Sequence, residues 1–307
     1  KLQSAWYLRT QLLDFEVTNA FRVIHGEGDG ISGLIIDYYD KNWVIQAHST
    51  GVFLQMKEIA EAIQSNFPDF CDTIYCKSAG TLPYTGTDYF LFGTKADTVA
   101  KENNILFSVN WVEGQKTGFF LDQRENRKLL GEFSKGKKVL NTFCYTGGFS
   151  IYAMNAGAEL VTSVDISQKA VDLAASNMEL NFPKANHTAV ADDVFNFMRE
   201  HTQHYDVIVL YPPAFAKSIK SKHTATQAYK RLNIAGLKAL APNGILFTFS
   251  CSQVIDDVLF YNTVAAAAIE SGRNIRVLHK LGQGPDHPTN IYHPEGHYLK
   301  GLVLFVE

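Results

Sequence analysis

The chain has 307 residues, 46% hydrophobic and 19% charged, which is apolar material for one large or two ordinary domains and too much for a disordered chain. A net charge of −3 and a pI near 6.4 exclude a protein that coats nucleic acid indiscriminately, while a local basic surface stays open. No apolar run reaches membrane-span length, KLQSAWYLRT lacks a signal peptide's apolar stretch, and Cys71, Cys76, Cys144 and Cys251 form neither a CxxC pair nor a disulfide framework, so a reducing cytoplasm is the expected setting.

Leu2, Ala5, Trp6, Leu12 and Leu13 fall at helical spacing, after which the period changes. Phe21 to Ile24, Gly33 to Ile36 and Trp43 to Ala47 read as short strands separated by the GEGDG and YDKN turns. Phe53, Met56, Ile59, Ala60 and Ile63 mark one helix face, closed by Asn66 and Pro68. Less regular strands follow at Thr73 to Tyr75, Tyr89 to Phe92 and Ile105 to Val109. These pieces predict an α+β domain over 1–112. In Gln115 to Arg124, QKTGFFLDQR, polar groups crowd an aromatic pair ahead of a helix that Asp122 can cap. Such density suits the lip of a site; a capped connector with Arg124 paired to an acid is the alternative.

Lys138 to Ser150, KVLNTFCYTGGFS, opens a second domain over 113–307. Its apolar run is a buried strand, and Thr146, Gly147 and Gly148 form a turn that brings backbone close to a ligand at the start of a helix from about Phe149 to Ala156. Strands are then expected at 160–164, 188–191, 205–210, 245–249, 276–281 and 299–306, with helices at 168–180, 194–200, 226–240 and 254–271. This alternation predicts a Rossmann-like α/β fold with a seven-stranded doubly wound sheet. The last two strands lack room for a crossover helix, so the final one is expected antiparallel.

In such sheets ligands bind beyond the carboxyl ends of the strands. The distinctive polar residues gather there: Asn141 and the TGG turn, then Asp165, Asp192 and Asp193, then Tyr211, Pro212 and Pro213, then Ser250, Cys251 and Ser252. Asp165 follows Asn141 by 24 positions, close to the roughly 20-residue spacing at which an acid meets ribose hydroxyls. It could instead cap the next helix, although Ser167 is the better cap. Asp192 or Asp193 suits an adenine amine, and the sequence leaves the choice open. The segment lacks G-x-G-x-x-G, so a pyrophosphate cofactor is disfavoured and S-adenosylmethionine fits better.

From Val207 to Ile255 there is no Asp or Glu, against six positive charges at Lys217, Lys220, Lys222, Lys230, Arg231 and Lys238. With Phe215 and Tyr229 available to stack, the expected ligand is a polyanion with an exposed base; a solvated helix is the bland alternative. Cys251 reads either as an inert strand-end thiol or as a nucleophile that adds to carbon 6 of a pyrimidine so that carbon 5 can be methylated. His287, His293 and His297 lack the spacing of a helical metal pair and stand among prolines, so no metal site is expected.

QKTGFFLDQR, VLNTFCYTGGFS, VTSVDIS with AVDLAASN, DDVF, PPAF, FTFSCS, DHPT and PEGHYLK, with HGEGDGISGLIID near the start, resemble the class I S-adenosylmethionine-dependent methyltransferases of the bacterial ribosomal RNA large-subunit methyltransferase I family. The resemblance covers nearly the whole chain. It implies methyl transfer to carbon 5 of a cytosine in large-subunit ribosomal RNA with Cys251 as nucleophile. Cofactor contacts are then expected at Gln115, Thr117, Phe120, Tyr145, Thr146, Gly147, Asp165 and Asp192 or Asp193, with Asn141 beside them. Pro212, Phe215, Lys217, Tyr229 and Lys230 are expected on the RNA side, Glu295 and Lys300 are candidate orienting groups, and a homodimer is left open. Family members begin with a PUA-type RNA-binding domain, and this chain starts after the point where one would end, so weaker RNA affinity is expected. Where the family pattern reads Asp-Pro-Pro, this chain has Tyr211-Pro212-Pro213. A phenol stays neutral near pH 7 and cannot replace an anion's role toward the base. Tyr211 therefore reads either as a tolerated hydrogen-bonding variant or as the mark of a weak methylase that still binds cofactor and RNA. Rivals from other classes are a purine methyltransferase, for which Cys251 is dispensable, and a non-catalytic RNA-binding factor.

Overall fold

A computed structural model describes residues 1–82, 84–216 and 218–307. The chain divides into two compact units, Lys1–Arg124 with Gly284–His297, and Glu125–Gln283 with Tyr298–Glu307. The boundary expected after residue 112 falls inside the first of these, which also takes in Gly284–His297 from near the far end of the chain.

The first unit carries helix α1 (Leu2–Leu12), strands β1 (Ala20–His25), β2 (Leu34–Tyr39) and β3 (Asn42–Ala47), a short α2 (Thr50–Phe53), α3 (Met56–Asn66), and β4 (Thr73–Lys77) and β5 (Asp88–Phe92), in a sheet ordered β1-β2-β3-β4-β5. Trp6 of α1 packs against Phe15, Phe21, Tyr38, Trp43 and Phe67 with ring centroids 4.8 to 5.6 Å apart. Each such side chain contributes about 1.5–3 kcal/mol through burial, which fastens the helix to the sheet. A further hairpin, β6 (Asp97–Glu102) with β7 (Ile105–Asn110), turns on Asn103 and Asn104, both at positive φ. Only its second strand is expected from the sequence. The Asn-Asn pair is the signal for the first, because asparagine tolerates the left-handed region that a two-residue hairpin turn demands.

The second unit alternates α4 (Arg124–Glu132, entered through a 3-10 turn at Leu121–Gln123), β8 (Lys138–Thr142), α5 (Gly148–Asn155), β9 (Leu160–Asp165), α6 (Gln168–Asn181), β10 (His187–Ala191), α7 (Val194–Glu200), β11 (Tyr205–Leu210), α8 (Lys222–Ala239), β12 (Leu240–Ser250), α9 (Asp257–Ser271), β13 (Ile275–Leu281) and β14 (Lys300–Val306). Its seven strands run in the order β10-β9-β8-β11-β12-β14-β13. The five strands β8 to β12 are parallel, and β14 is antiparallel to both β12 and β13, as expected. β11 is buried along nearly its whole length, which is why Val207–Leu210 reads as a continuous apolar run. β12 begins at Leu240, five residues before the expected start. Its pairing with β11 jumps from Leu240 to Ile245, so the Pro-Asn-Gly turn is carried as a bulge with Asn243 at φ 62°.

Strand order reverses between β8 and β11: β9 and β10 lie to one side, β12, β14 and β13 to the other. A crevice at the carboxyl ends of β8 and β11 follows from that switch point. No helix among the described residues is long and apolar enough to cross a membrane.

Candidate active site

The loop after β8 occupies the switch point and is conformationally costly. Phe143, Tyr145 and Gly147 have φ of 53°, 45° and 75°, a region that costs a non-glycine residue about 1–2 kcal/mol. Hydrogen bonds among the described residues hold it. Cys144 N donates to Val164 O (3.1 Å), Gly147 N to Cys144 O (2.8 Å), Asn177 Nδ2 to Thr146 O (3.0 Å) and Tyr145 N to Asp165 Oδ2 (3.2 Å). At about 1 kcal/mol each, these offset the strain. Gly147 is required twice over, since a Cβ there would lie 2.9 Å from the Ala174 Cβ.

Asp165 ends β9 half-buried, accepting from Tyr145 N through one oxygen and from Ser167 N (3.0 Å) through the other. An ionised carboxylate has about four lone-pair sites, so the anchored group retains capacity for a pair of vicinal hydroxyls. Ser167, not Asp165, caps α6 by accepting from Ala170 N. Of the two acids after β10, Asp193 caps α7 through bonds from Phe195 N (3.0 Å) and Asn196 N (3.1 Å). Among the described residues Asp192 accepts only from the adjacent Asp193 N (2.7 Å), and it is the better placed to meet a ligand.

Asn141 is 1% exposed and faces inward. Its Nδ2 donates to Ser150 Oγ (2.9 Å), Ser150 and Ser163 share a 2.6 Å hydroxyl contact, and Ser163 Oγ lies 2.8 Å from His187 Nε2. Burial lowers the His187 pKa to about 4, so the chain ends on a neutral imidazole that can accept. Asn141 thus fixes α5 against β8 and β9, an arrangement its sequence position does not reveal.

Cys251 follows β12 and is partly exposed, whereas Cys71, Cys76 and Cys144 are buried. Burial pushes the Cys71 thiol up to about 11, and those of Cys76 and Cys144 upward too. Tyr211 packs edge-on against Phe149 and Phe249, with centroids 6.5 and 5.5 Å away. Pro212 is buried and Phe215 half-buried. Tyr229, expected to stack on a base, is instead fully buried: its ring packs on Phe215 and Phe260, and its hydroxyl lies 3.0 Å from Ser252 Oγ. Its role is to back the Cys251 turn. Lys230 is likewise engaged, 2.6 Å from Glu270 of α9, and Lys222 lies 3.7 Å from Asp256. Lys217 lies outside the described residues.

Gln115, Thr117 and Phe120 belong to the first unit. Gln115 is exposed and Phe120 half-buried. Thr117 is fully buried, donating to Asp37 Oδ2 (2.6 Å) with the Tyr39 hydroxyl 3.0 Å away. In that unit the sequence reading leaves Arg124's acid unnamed. It is Asp286, whose two oxygens accept from Arg124 at 2.9 and 3.1 Å and whose Oδ1 lies 3.1 Å from His287 Nδ1. The pairing joins QKTGFFLDQR to DHPT, segments 162 residues apart, beyond the reach of any local pattern.

The family model for S-adenosylmethionine-dependent methyltransferases matches residues 87–294. The chain is 39% identical to a protein of Aeromonas hydrophila named Ribosomal RNA large subunit methyltransferase I, over 99% of this chain and 79% of that one. A Streptococcus mutans structure assigned as a SAM-dependent methyltransferase superposes with a TM-score of 0.87 at 27% identity, covering 99% of this chain and 79% of its own. A structure of an assigned methyltransferase complexed with SAH gives 0.85 at 28%, covering 99% and 80%.

Proposed function

The chain belongs to the ribosomal RNA large subunit methyltransferase I family, within the S-adenosylmethionine-dependent methyltransferases, and on that footing we propose that it methylates carbon 5 of a cytosine in large-subunit ribosomal RNA, with Cys251 as nucleophile. It is an enzyme and its cofactor is S-adenosylmethionine. The residues at the switch point fit that group. Asp165 has lone pairs left for the ribose, Asp192 is the adenine acceptor in this reading, and the loop from Tyr145 to Gly147 with the first amides of α5 takes the methionine end. Bound there, the cofactor supplies an electrophilic methyl group.

The observation that carries the proposal is the placement of Cys251. Of the four thiols it is the one not buried, and it stands at the carboxyl end of β12, on the rim where the cofactor residues gather. A thiolate there adds to carbon 6 of the cytosine, and the ring electrons this displaces make carbon 5 nucleophilic. Once carbon 5 carries its methyl group, removal of its proton re-forms the ring double bond and expels the thiolate. Pro212 and Phe215 are proposed to shape the base side. Lys220, Arg231 and Lys238, which make no ion pair among the described residues, are proposed to meet phosphates. A cytoplasmic setting fits a ribosomal RNA substrate.

One observation favours slow turnover: where the family pattern has a carboxylate, the Tyr211 ring packs with Phe149 and Phe249 and supplies no charge. The test is transfer of labelled methyl to unmodified ribosomal RNA, followed by nucleoside mass spectrometry. 5-Methylcytosine is expected, and methylguanine overturns the assignment. Cys251→Ala should abolish turnover while leaving cofactor affinity unchanged; an active alanine variant rules out the covalent route.

A further inference from the structure

Lys300 opens β14 with 3% of its surface exposed. Lysine is almost never buried so completely without a carboxylate partner, because desolvating an ammonium costs several kcal/mol. Its Nζ donates to Ser252 O (2.8 Å) and Tyr298 O (2.7 Å), and among the described residues no carboxylate stands within ion-pair distance. An ammonium has three donors, and these carbonyls take two. Lys300 also lines a cleft of about 260 Å³ with Asp257, Tyr261, Lys280 and Gly301. Its backbone pairs with Ser250 while its side chain reaches Ser252, so it grips both neighbours of Cys251.

Resting on the reading of Cys251 as nucleophile, we propose that Lys300 is a positioning residue for that thiol, holding the Ser250–Ser252 turn and supplying the positive charge that favours the thiolate. The other titratable groups around the turn and its cleft are Asp256, the N-cap of α9, Asp257 of α9, Tyr229 of α8, Lys280 of β13 and, beyond Asp256, Lys222. Burial pushes the Tyr229 phenol up, which keeps it neutral. Asp256 is solvated, with 62% of its side chain exposed, and shares its charge with Lys222. Its effect on Cys251 is screened by water in a way that a buried ammonium's is not. Burial draws the Lys300 pKa below the usual lysine range, opposed by the attraction of Asp257, Cys251 and Asp256.

The test is the pH profile of Cys251 alkylation by iodoacetamide, followed by peptide mass spectrometry on the full chain. Lys300→Gln keeps a donor for the Ser252 carbonyl and removes only the charge. It should raise the alkylation midpoint by about one pH unit, lower kcat at pH 7 about tenfold with recovery toward pH 9, and leave cofactor affinity unchanged. Lys300→Arg should return the midpoint toward that of the unaltered chain. A folded Lys300→Gln variant with an unshifted midpoint overturns the proposal, since a purely structural clamp predicts that result. Should that variant not fold, the unaltered chain still decides. Cys251 should then react faster with anionic iodoacetate, relative to iodoacetamide, than a cysteine peptide does, and an equal ratio overturns the proposal. These readouts follow thiol ionisation, not turnover, so they stay separable from the Cys251→Ala test of the nucleophile itself.

Discussion

At Gly147 a φ of 75° and the 2.9 Å approach to the Ala174 Cβ act together, so that neither the conformation nor the space admits a side chain. Gly147→Ala should therefore cost about 2–4 kcal/mol, combining left-handed strain with overpacking against α6, and should weaken cofactor binding by displacing the Thr146 carbonyl from Asn177. Urea unfolding and cofactor titration check both effects. The glycine pair itself is conspicuous in the sequence. The positive φ of Phe143 and Tyr145 is not, because it is imposed by Asp165 and Val164 from the next strand and by Asn177 from the following helix. The choice between Asp192 and Asp193 was likewise closed to sequence reasoning. It turns on which carboxylate faces the first amides of α7, and adjacent identical residues carry no mark of that.

At the scale of elements, the basic run of α8 shows how a one-dimensional charge pattern changes on folding. No acid occurs between Val207 and Ile255, yet α9 and its N-cap, which follow that window, return Glu270 to Lys230 and Asp256 to Lys222. Lys230→Met should accordingly leave the salt dependence of RNA binding unchanged and cost less than about 1 kcal/mol, the worth of a partly exposed ion pair. Neutralising Lys220 should lower the slope of log affinity against log salt by about one. Filter binding across a salt series separates the two, and a flattened slope for Lys230→Met restores that residue to the RNA surface. Strand and helix order was legible throughout the second unit because buried parallel strands and amphipathic helices differ in period and length. The β6–β7 hairpin was half missed because DTVAKE lacks the apolar alternation by which a strand is recognised.

Across the whole molecule, half-buried histidines contribute to the response to acid. His187 is neutral in the folded chain, its pKa lowered to about 4 by burial, against 6.5 for the free side chain. Between those values the unfolded chain binds a proton that the folded chain does not, so stability is full above about pH 6.5 and is lost as the pH falls toward 4. After allowance for partial solvation the loss is on the order of 2 kcal/mol. His187→Gln, which can still accept from Ser163, should flatten that part of the urea-midpoint profile. Helical circular dichroism is the suitable probe, since Trp6, Trp43 and Trp111 all report on the first unit. In that unit His25, lowered to about 2 chiefly by burial and then by Arg22, acts in the same direction.

The sequence by itself determined the α/β class, the seven-stranded sheet with its antiparallel last strand, the rim on which Asp165, Asp192 and Cys251 stand, and the family, because periodicity and ordered motifs are local properties of a chain. Tertiary structure alone decided that Tyr229 and Asn141 are buried framework, that Lys230 is neutralised across a helix pair, that Asp286 answers Arg124, and that Lys300 is a buried cation gripping the Cys251 turn. Each of these depends on partners that only the folded chain brings within a few ångströms, where burial and charge act and sequence distance has no bearing.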